Sequence, residues 1–241
     1  FWSMTITGGH VIDRIRNISS VLRGTEADAI DGAGDSVKPK LLFTEGGSQF
    51  DIYAMRSAGI DPATGQEIFI RKDGTYTYNY DEDERVAVGN SNPVLSGSWM
   101  NTIRYKGISL TINTSYTFGS DFYNTTLQSK VENIDPYKNV DERAFTDRWK
   151  NPGDLVRYLK IDTNRPMVNS ERFVEKRNEL YISSIQLTYD FQTKALSRIG
   201  LKRLCVGVGV SDIGYISTVK YERGTSYPYC RGINLIFRPT F

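Results

Sequence analysis

One histidine, two cysteines and a net charge of only +2 in 241 residues leave little material for several kinds of chemistry. His10 has no partnered serine or cysteine nucleophile, so no hydrolytic triad can be drawn. Cys205 and Cys230 have no zinc-ligand spacing. The small charge, with no basic cluster interleaved with aromatics, argues against a nucleic-acid groove. No apolar run approaches the ~18 residues of a membrane-spanning helix, and no signal peptide opens the chain. No two acids stand out as a glycosidase pair. The carboxylate run Asp81-Glu82-Asp83-Glu84 lacks the alternate spacing of a calcium loop and reads as a solvated loop. The sequence therefore offers no catalytic residue, no metal ligands and no cofactor site, and is read as a non-enzyme.

What is abundant is tyrosine (15), glycine (21) and alternation. Ile185, Leu187, Tyr189 and Phe191 alternate with Ser184, Gln186, Thr188 and Asp190. Leu204, Val206, Val208 and Val210 alternate with Arg203, Cys205, Gly207, Gly209 and Ser211. Ile233, Leu235 and Phe237 repeat the pattern before a terminal Phe241. A period of two gives each strand one apolar and one polar face. Two settings produce it: a soluble antiparallel sheet with one wet face, and a membrane barrel with lipid outside and a polar lumen. Length favours the second. A membrane strand needs roughly 9–11 residues, soluble strands cluster near 5–6, and residues 181–191, 201–212 and 231–241 fall in the longer class.

Residues 1–9 form a strand with Trp2, Met4 and Ile6 on one face, and residues 97–105 another with Trp99, Ile103 and Tyr105. After the tight turn Lys106-Gly107, residues 108–118 alternate Ile108, Leu110, Ile112, Tyr116 and Phe118 with Ser109, Thr111, Asn113, Ser115 and Thr117. Residues 11–18 suit one or two helical turns, and 24–39 are polar and Gly-rich. Strand character returns in 41–60, 67–70 and 75–80, separated by Asp61-Pro62-Ala63-Thr64-Gly65 and Lys72-Asp73-Gly74 turns. Residues 120–180 have no sustained alternation. A connection of that length is functional or disordered. Short turns alternating with long loops are the pattern of an outer-membrane barrel, its long loops outside the cell. Tyr123, Tyr137 and Trp149 in the long segment are candidates to stack on a sugar or grip a peptide, or to pack against other loops. Gln186 and Asp190, with Ser184, Thr188, Asn113 and Thr111, are candidate lumen contacts. Cys205 and Cys230 share lumen parity at opposite depths, which argues against a disulfide. A chain that begins already in strand alternation at Phe1 is expected to be a piece of a longer or split polypeptide.

Several stretches resemble one family. Gly59-Ile60-Asp61-Pro62-Ala63-Thr64-Gly65-Gln66-Glu67-Ile68-Phe69 followed by Lys72-Asp73-Gly74 resembles the G-x-D-P-x-T-G segment of SusC/RagA-type TonB-dependent transporters. Pro93 and the hairpin through Tyr105-Lys106-Gly107-Ile108-Ser109-Leu110 resemble a second signature of that family. Residues 177–189, Tyr227-Pro228 and Gly232-Ile233-Asn234-Leu235-Ile236-Phe237 resemble its C-terminal strands. The resemblance implies an all-β fold: about eight C-terminal strands of a twenty-two-stranded antiparallel transmembrane β-barrel, with the whole of 1–241 as barrel and the plug, N-terminal strands and TonB-contacting box lying elsewhere. It implies import of glycans or peptides across a bacterial outer membrane with a SusD-like surface lipoprotein. The implied partners are the remainder of the barrel with its plug, the TonB complex through that plug, and outer-membrane lipid; nucleic acid is not among them. Phe241 would be a girdle aromatic and, by the same resemblance, a signal to the barrel-assembly machinery. Two rival readings are a soluble β-sandwich that binds carbohydrate and a stand-alone porin or adhesin barrel.

Overall fold

A computed structural model describes residues 1–20, 26–27, 39–135, 137, 139–162, 166–191, 196, 200–220 and 230–241. The chain divides into two units. One comprises Phe1–Val11, Pro93–Gly119 and Arg177–Phe241, and the other Ile12–Asn92 and Ser120–Lys176. In chain order the strands are β1 (Trp2–Gly9), β2 (Glu26–Ala27), β3 (Leu41–Leu42), β4 (Asp51–Ala54), β5 (Arg56–Ile60), β6 (Glu67–Ile70), β7 (Tyr76–Thr77), β8 (Val86–Asn90), β9 (Leu95–Tyr105), β10 (Ile108–Tyr123), β11 (Val174–Phe191), β12 (Arg203–Ser217) and β13 (Gly232–Thr240).

The first unit is one open six-stranded sheet in the order β1-β9-β10-β11-β12-β13. β1 pairs with β9, β9 with β10, β11 with β12 and β12 with β13, all antiparallel. The β10–β11 seam follows suit. Asp190 donates its N–H to Gly107 O, Asn113 donates to Ser184 Oγ, and Gly119 donates its N–H to Asn178. One partner falls in number as the other rises, so Leu110 stands opposite Leu187 and Ile112 opposite Ile185. Lys106 and Gly107 both have positive φ, 46° and 88°. That is what a two-residue primed turn requires, and its twist matches that of the flanking strands. Alternation therefore predicted these six strands correctly. The other stretches counted toward about eight are short strands of the second unit.

Three boundaries differ from the sequence reading. Residues 11–18 form no helix; Ile15 instead exchanges backbone hydrogen bonds with Gly46 and Gly47. β10 continues to Tyr123 and β11 begins at Val174, inside the stretch that showed no alternation. β12 runs on to Ser217 past a bulge: β11 advances two residues from Ile182 to Ser184 while β12 advances three, and Asp212 takes φ 56°. Most of 24–39, the 192–199 connection apart from Leu196, and Tyr227-Pro228 lie outside the described residues.

The second unit has a small core of its own. Ile52, Tyr123, Leu127, Val131, Tyr158 and Phe173 cluster, with Val88 and Val174 packed against them. β4 pairs with β8, and β5-β6-β7 form a three-stranded sheet. A π-helical turn (Leu127–Glu132) and one short helix, α1 (Arg143–Thr146), lie in the 120–176 segment.

Close backbone approach fixes Gly97 in the first unit. A Cβ on Gly97 would stand 1.9 Å from Thr7 O and 2.7 Å from the Tyr116 hydroxyl. Overpacking of this kind costs about 1–3 kcal/mol. Gly97→Ala is expected to lower the temperature at which the detergent-purified full-length protein loses its compact, heat-modifiable migration, whereas Gly9→Ala, with open space around it, leaves it unchanged.

Candidate functional site

The two faces of the six-stranded sheet carry opposite chemistry. Register places Trp2, Ile103, Leu110, Leu187, Val208 and Leu235 on one rung that crosses every strand. The next rungs hold Met4, Asn101, Ile112, Ile185, Val210 and Ile233 on one side, with Asn101 the one polar member, and Tyr105, Ile108, Tyr189, Val206 and Phe237 on the other. None of these side chains is buried. Leu187 is 45% exposed, Val206 38% and Val208 39%. A β-sandwich would cover all three with a second sheet, and among the described residues none does. Soluble proteins rarely expose contiguous apolar patches beyond a few hundred Å², and here the apolar side chains stay uncovered across six strands.

Aromatic rings bound this face at both ends. Tyr105, Tyr189, Phe191 and Phe237 lie toward the Lys106-Gly107 turn; Tyr116, Phe118, Tyr181 and Tyr215 lie toward the other end. Tyr189 and Phe191 meet edge to face at 4.5 Å, and Tyr116 and Phe118 stack at 5.8 Å. Eight to ten residues separate the two sets. At ~3.3 Å per residue and a tilt of ~40° they stand roughly 20–25 Å apart along the membrane normal, the height of the apolar band of an outer-membrane barrel. The bulge at Asp212 keeps this arrangement: it resets the alternation of β12 so that Tyr215 returns to the apolar face opposite Tyr181. The Tyr181 hydroxyl then donates to Asp212 Oδ1 at 2.9 Å.

The opposite face is polar. One rung reads Ser3, Thr102, Thr111, Gln186, Gly209 and Asn234; another holds Thr5, Met100, Asn113, Ser184, Ser211 and Gly232, with Met100 the one apolar member. Gln186 and Asp190 both lie here and are half-buried. Asp190 accepts from Arg203 Nε at 3.1 Å and forms an ion pair with the same guanidinium. Cys205 and Cys230 are free thiols; Cys205 stands opposite Arg238 on this face, and Cys230 is exposed just before β13.

The three aromatic candidates of the second unit have different surroundings. Tyr137 is 93% exposed. Tyr123 is buried in the core cluster, its ring edge-on to Phe173 and its hydroxyl accepting the Ser170 N–H. Trp149 is half-buried on the Asp61-Pro62-Ala63-Thr64-Gly65 turn. Its indole N–H donates to Pro62 O at 2.8 Å, and its ring leaves no room for a Cβ at Gly65, where φ is 68°. Asp61 organises that turn, accepting from Ala63 N at 2.9 Å, Thr64 Oγ1 at 2.7 Å and the Tyr78 hydroxyl at 2.9 Å. The Thr64 hydroxyl, then the Ala63 N–H and Tyr78, hold the Asp61 carboxyl below its ordinary pKa. Asp81 caps its own 3-10 turn through Asp83 N, and Glu84 accepts from Lys72 N at 2.7 Å. His10 hydrogen-bonds the Val94 carbonyl at 2.6 Å.

Sequence reasoning missed a buried charge cluster. Arg172 donates to Glu132 Oε1 at 2.7 Å, to Glu132 Oε2 at 2.8 Å and to Glu67 Oε2 at 2.9 Å, and Ser170 Oγ donates to Glu67. Burial opposes the Arg172 charge, but Glu67 and Glu132 outweigh it and raise its pKa. The signal was Glu67 itself, an acid at a buried parity next to Phe69 in β6.

Two outcomes follow for this unit. Arg172→Ala strands two buried carboxylates, and breaking such a cluster costs about 3–5 kcal/mol. Hydrogen exchange should show loss of amide protection around Val131, Tyr158 and Phe173, and Arg172→Lys should not restore it, since an ammonium cannot fork to both acids. Trp149→Ala should cost about 3–5 kcal/mol locally and expose residues 59–66 to protease while the six-stranded sheet keeps its protection.

No protein-family model matches the sequence, and no curated protein does. Solved structures do. The RagAB peptide transporter matches with a TM-score of 0.65 and 15% identity over 90% of this chain and 24% of that one. The RagAB peptide importer in its open-open state gives 0.64 and 15% over 92% and 24%, and in its closed-closed state 0.64 and 15% over 91% and 24%. The likeness establishes a shared fold, and this chain spans about a quarter of the length of those chains.

Proposed function

We propose that this chain is a section of barrel wall from a SusC/RagA-type TonB-dependent transporter in a bacterial outer membrane. The carrying observation is the face that stays apolar, Asn101 apart in its middle rungs, and uncovered across six strands, while its reverse is mainly hydroxyl, amide and glycine with charged side chains toward the Lys106-Gly107 turn. The shared fold and the motifs quoted above support the same family. In this reading 1–241 is the C-terminal portion of the barrel, and β1 and β13, each with one open edge in the sheet, pair with further strands, because lipid tolerates no open edge. A stand-alone porin would need those two edges to meet; the sheet order keeps them apart.

The wall makes and breaks no bonds. Its apolar side holds the lipid, and its polar side lines the path of a substrate too large for a porin. A SusD-like lipoprotein caps the outer mouth, and TonB supplies the energy through the plug. Peptide is the favoured cargo over glycan, since the solved chains of this fold belong to a peptide transporter. Gln186 and Asp190 on the polar face and exposed Tyr137 are the residues assigned to cargo contact; the packing of Tyr123 and Trp149 assigns them to holding the loops.

Neighbouring residues on one strand test the reading. Leu187→Arg puts a charge on the lipid side, at a cost of about 2–4 kcal/mol near the midplane, and should abolish heat-modifiable, membrane-inserted protein or reduce it severely. Gln186→Arg, one residue away, should insert normally. Equal insertion of the two variants would defeat the assignment of faces.

A further inference from the structure

The three-stranded sheet of the second unit has one open edge and one open face. β7 has β6 on one side and, among the described residues, no strand on the other. Arg71 donates its N–H to Thr75 O at 2.9 Å. Antiparallel ladders alternate hydrogen-bonded and non-hydrogen-bonded pairs. Phe69–Thr77 is therefore hydrogen-bonded and Ile70–Tyr76 is not, so the N–H and carbonyl of Tyr76 point out along the open edge. Glu67 and Phe69 are buried on one face. Alternation sends Ile68 and Ile70 to the other, with Tyr76 opposite Ile70 and Tyr78 one step beyond. A cavity of about 440 Å³ lies here, lined by Ala58, Ile68, Tyr76, Thr77 and Tyr78. Ala58 is the surplus residue of a bulge between Ser57 and Gly59, and its small side chain leaves the space unfilled. Both tyrosine rings are exposed.

We infer that this edge and cavity bind a peptide in extended conformation, its backbone added to β7 and one apolar or aromatic side chain seated beside the two tyrosines. In strand addition the main chain supplies affinity and a side-chain pocket supplies selectivity. A peptide residue paired with Tyr76 projects its side chain from the face that Tyr76 and Ile70 share, which is the face of the cavity. The volume falls within the ~300–1,000 Å³ of ligand sites. Polar groups select against a glycan, whose hydroxyls need free hydrogen-bonding partners beside the stacking ring. Here the Thr77 hydroxyl accepts the Asn79 N–H at 3.1 Å and the Tyr78 hydroxyl donates to Asp61 at 2.9 Å, while Asp61 also holds Ala63 and Thr64. Ring surface, an isoleucine and a strand edge are what the site offers. The site stands on the geometry of β5, β6 and β7; equating its occupant with imported cargo rests on the transporter reading above.

The test uses the full-length protein in its native membrane. The probe is a short serine-glycine peptide with a central p-benzoylphenylalanine, and its attachment sites are read by mass spectrometry. Attachment within residues 58–78 is expected. The same peptide with a central phenylalanine should compete about tenfold better than one with serine there. Methylating the backbone nitrogen of the central residue removes its ladder donor and should weaken competition by a similar factor. Tyr76→Ser takes away one wall and Ala58→Leu fills the space; each should cut capture about tenfold while residues 59–66 keep their protease resistance. If Tyr76→Ser loses that resistance, Ala58→Leu decides alone. Attachment elsewhere, equal competition by the phenylalanine and serine peptides, indifference to methylation, or competition by a malto-oligosaccharide in place of the phenylalanine peptide would overturn the inference. Failure of the transporter reading would appear separately, as a protein absent from the outer membrane that still captures the probe at 58–78.

Discussion

Hydrocarbon offers no partner to a backbone N–H or carbonyl, and that constraint governs the first unit. A strand can cross lipid only with a neighbour on each side, so its residues are free to differ between faces but not to leave the ladder. The rungs from Trp2 to Leu235 and from Met4 to Ile233 are what such a ladder looks like when the side chains obey it. In water the same face would be an aggregation hazard; in a bilayer it is the solvent-matched side, and the burden of specificity moves to the polar reverse.

The second unit is held by different physics. Its core is small, and polar groups lock it together. Seen this way the G-x-D-P-x-T-G stretch is an anchor. Asp61 ties the turn, Gly65 gives Trp149 room to lie flat, and Glu67 receives Arg172 from more than a hundred residues away. Removing any one of these would loosen the join between the 12–92 and 120–176 segments without touching the membrane strands. Here the sequence motif marks packing between loops.

Alternation made the membrane strands legible because burial on one side only is what a period of two records. It stopped where physics changed. Alternation ends β12 at Asp212 because a surplus residue there shifts odd and even positions, and the two phases cancel along one continuous stretch. The outer ends of β10 and β11 were lost because Ser120, Asp121 and Tyr123 are buried together, so polar and apolar positions no longer sort by parity. The apparent helix in 11–18 came from isoleucine spacing alone, and pairing of Ile15 with Gly46 and Gly47 overrode it. The Arg172 cluster was invisible because its members, Glu67, Glu132 and Arg172, are distant in sequence and each is unremarkable alone. Trp149 was legible as an important aromatic, but not its partner, since nothing local connects it to Gly65.

The tight Lys106-Gly107 turn has one more implication. Within the six-stranded sheet the C-terminal ends of β1 and β12 and the N-terminal ends of β9 and β13 all lie at the edge opposite that turn. Insertions, deletions and wholesale loop exchange can therefore accumulate along one rim while strand offsets are set from the other. A lineage under pressure to vary what it shows its surroundings could rewrite that outer rim and inherit the wall unchanged.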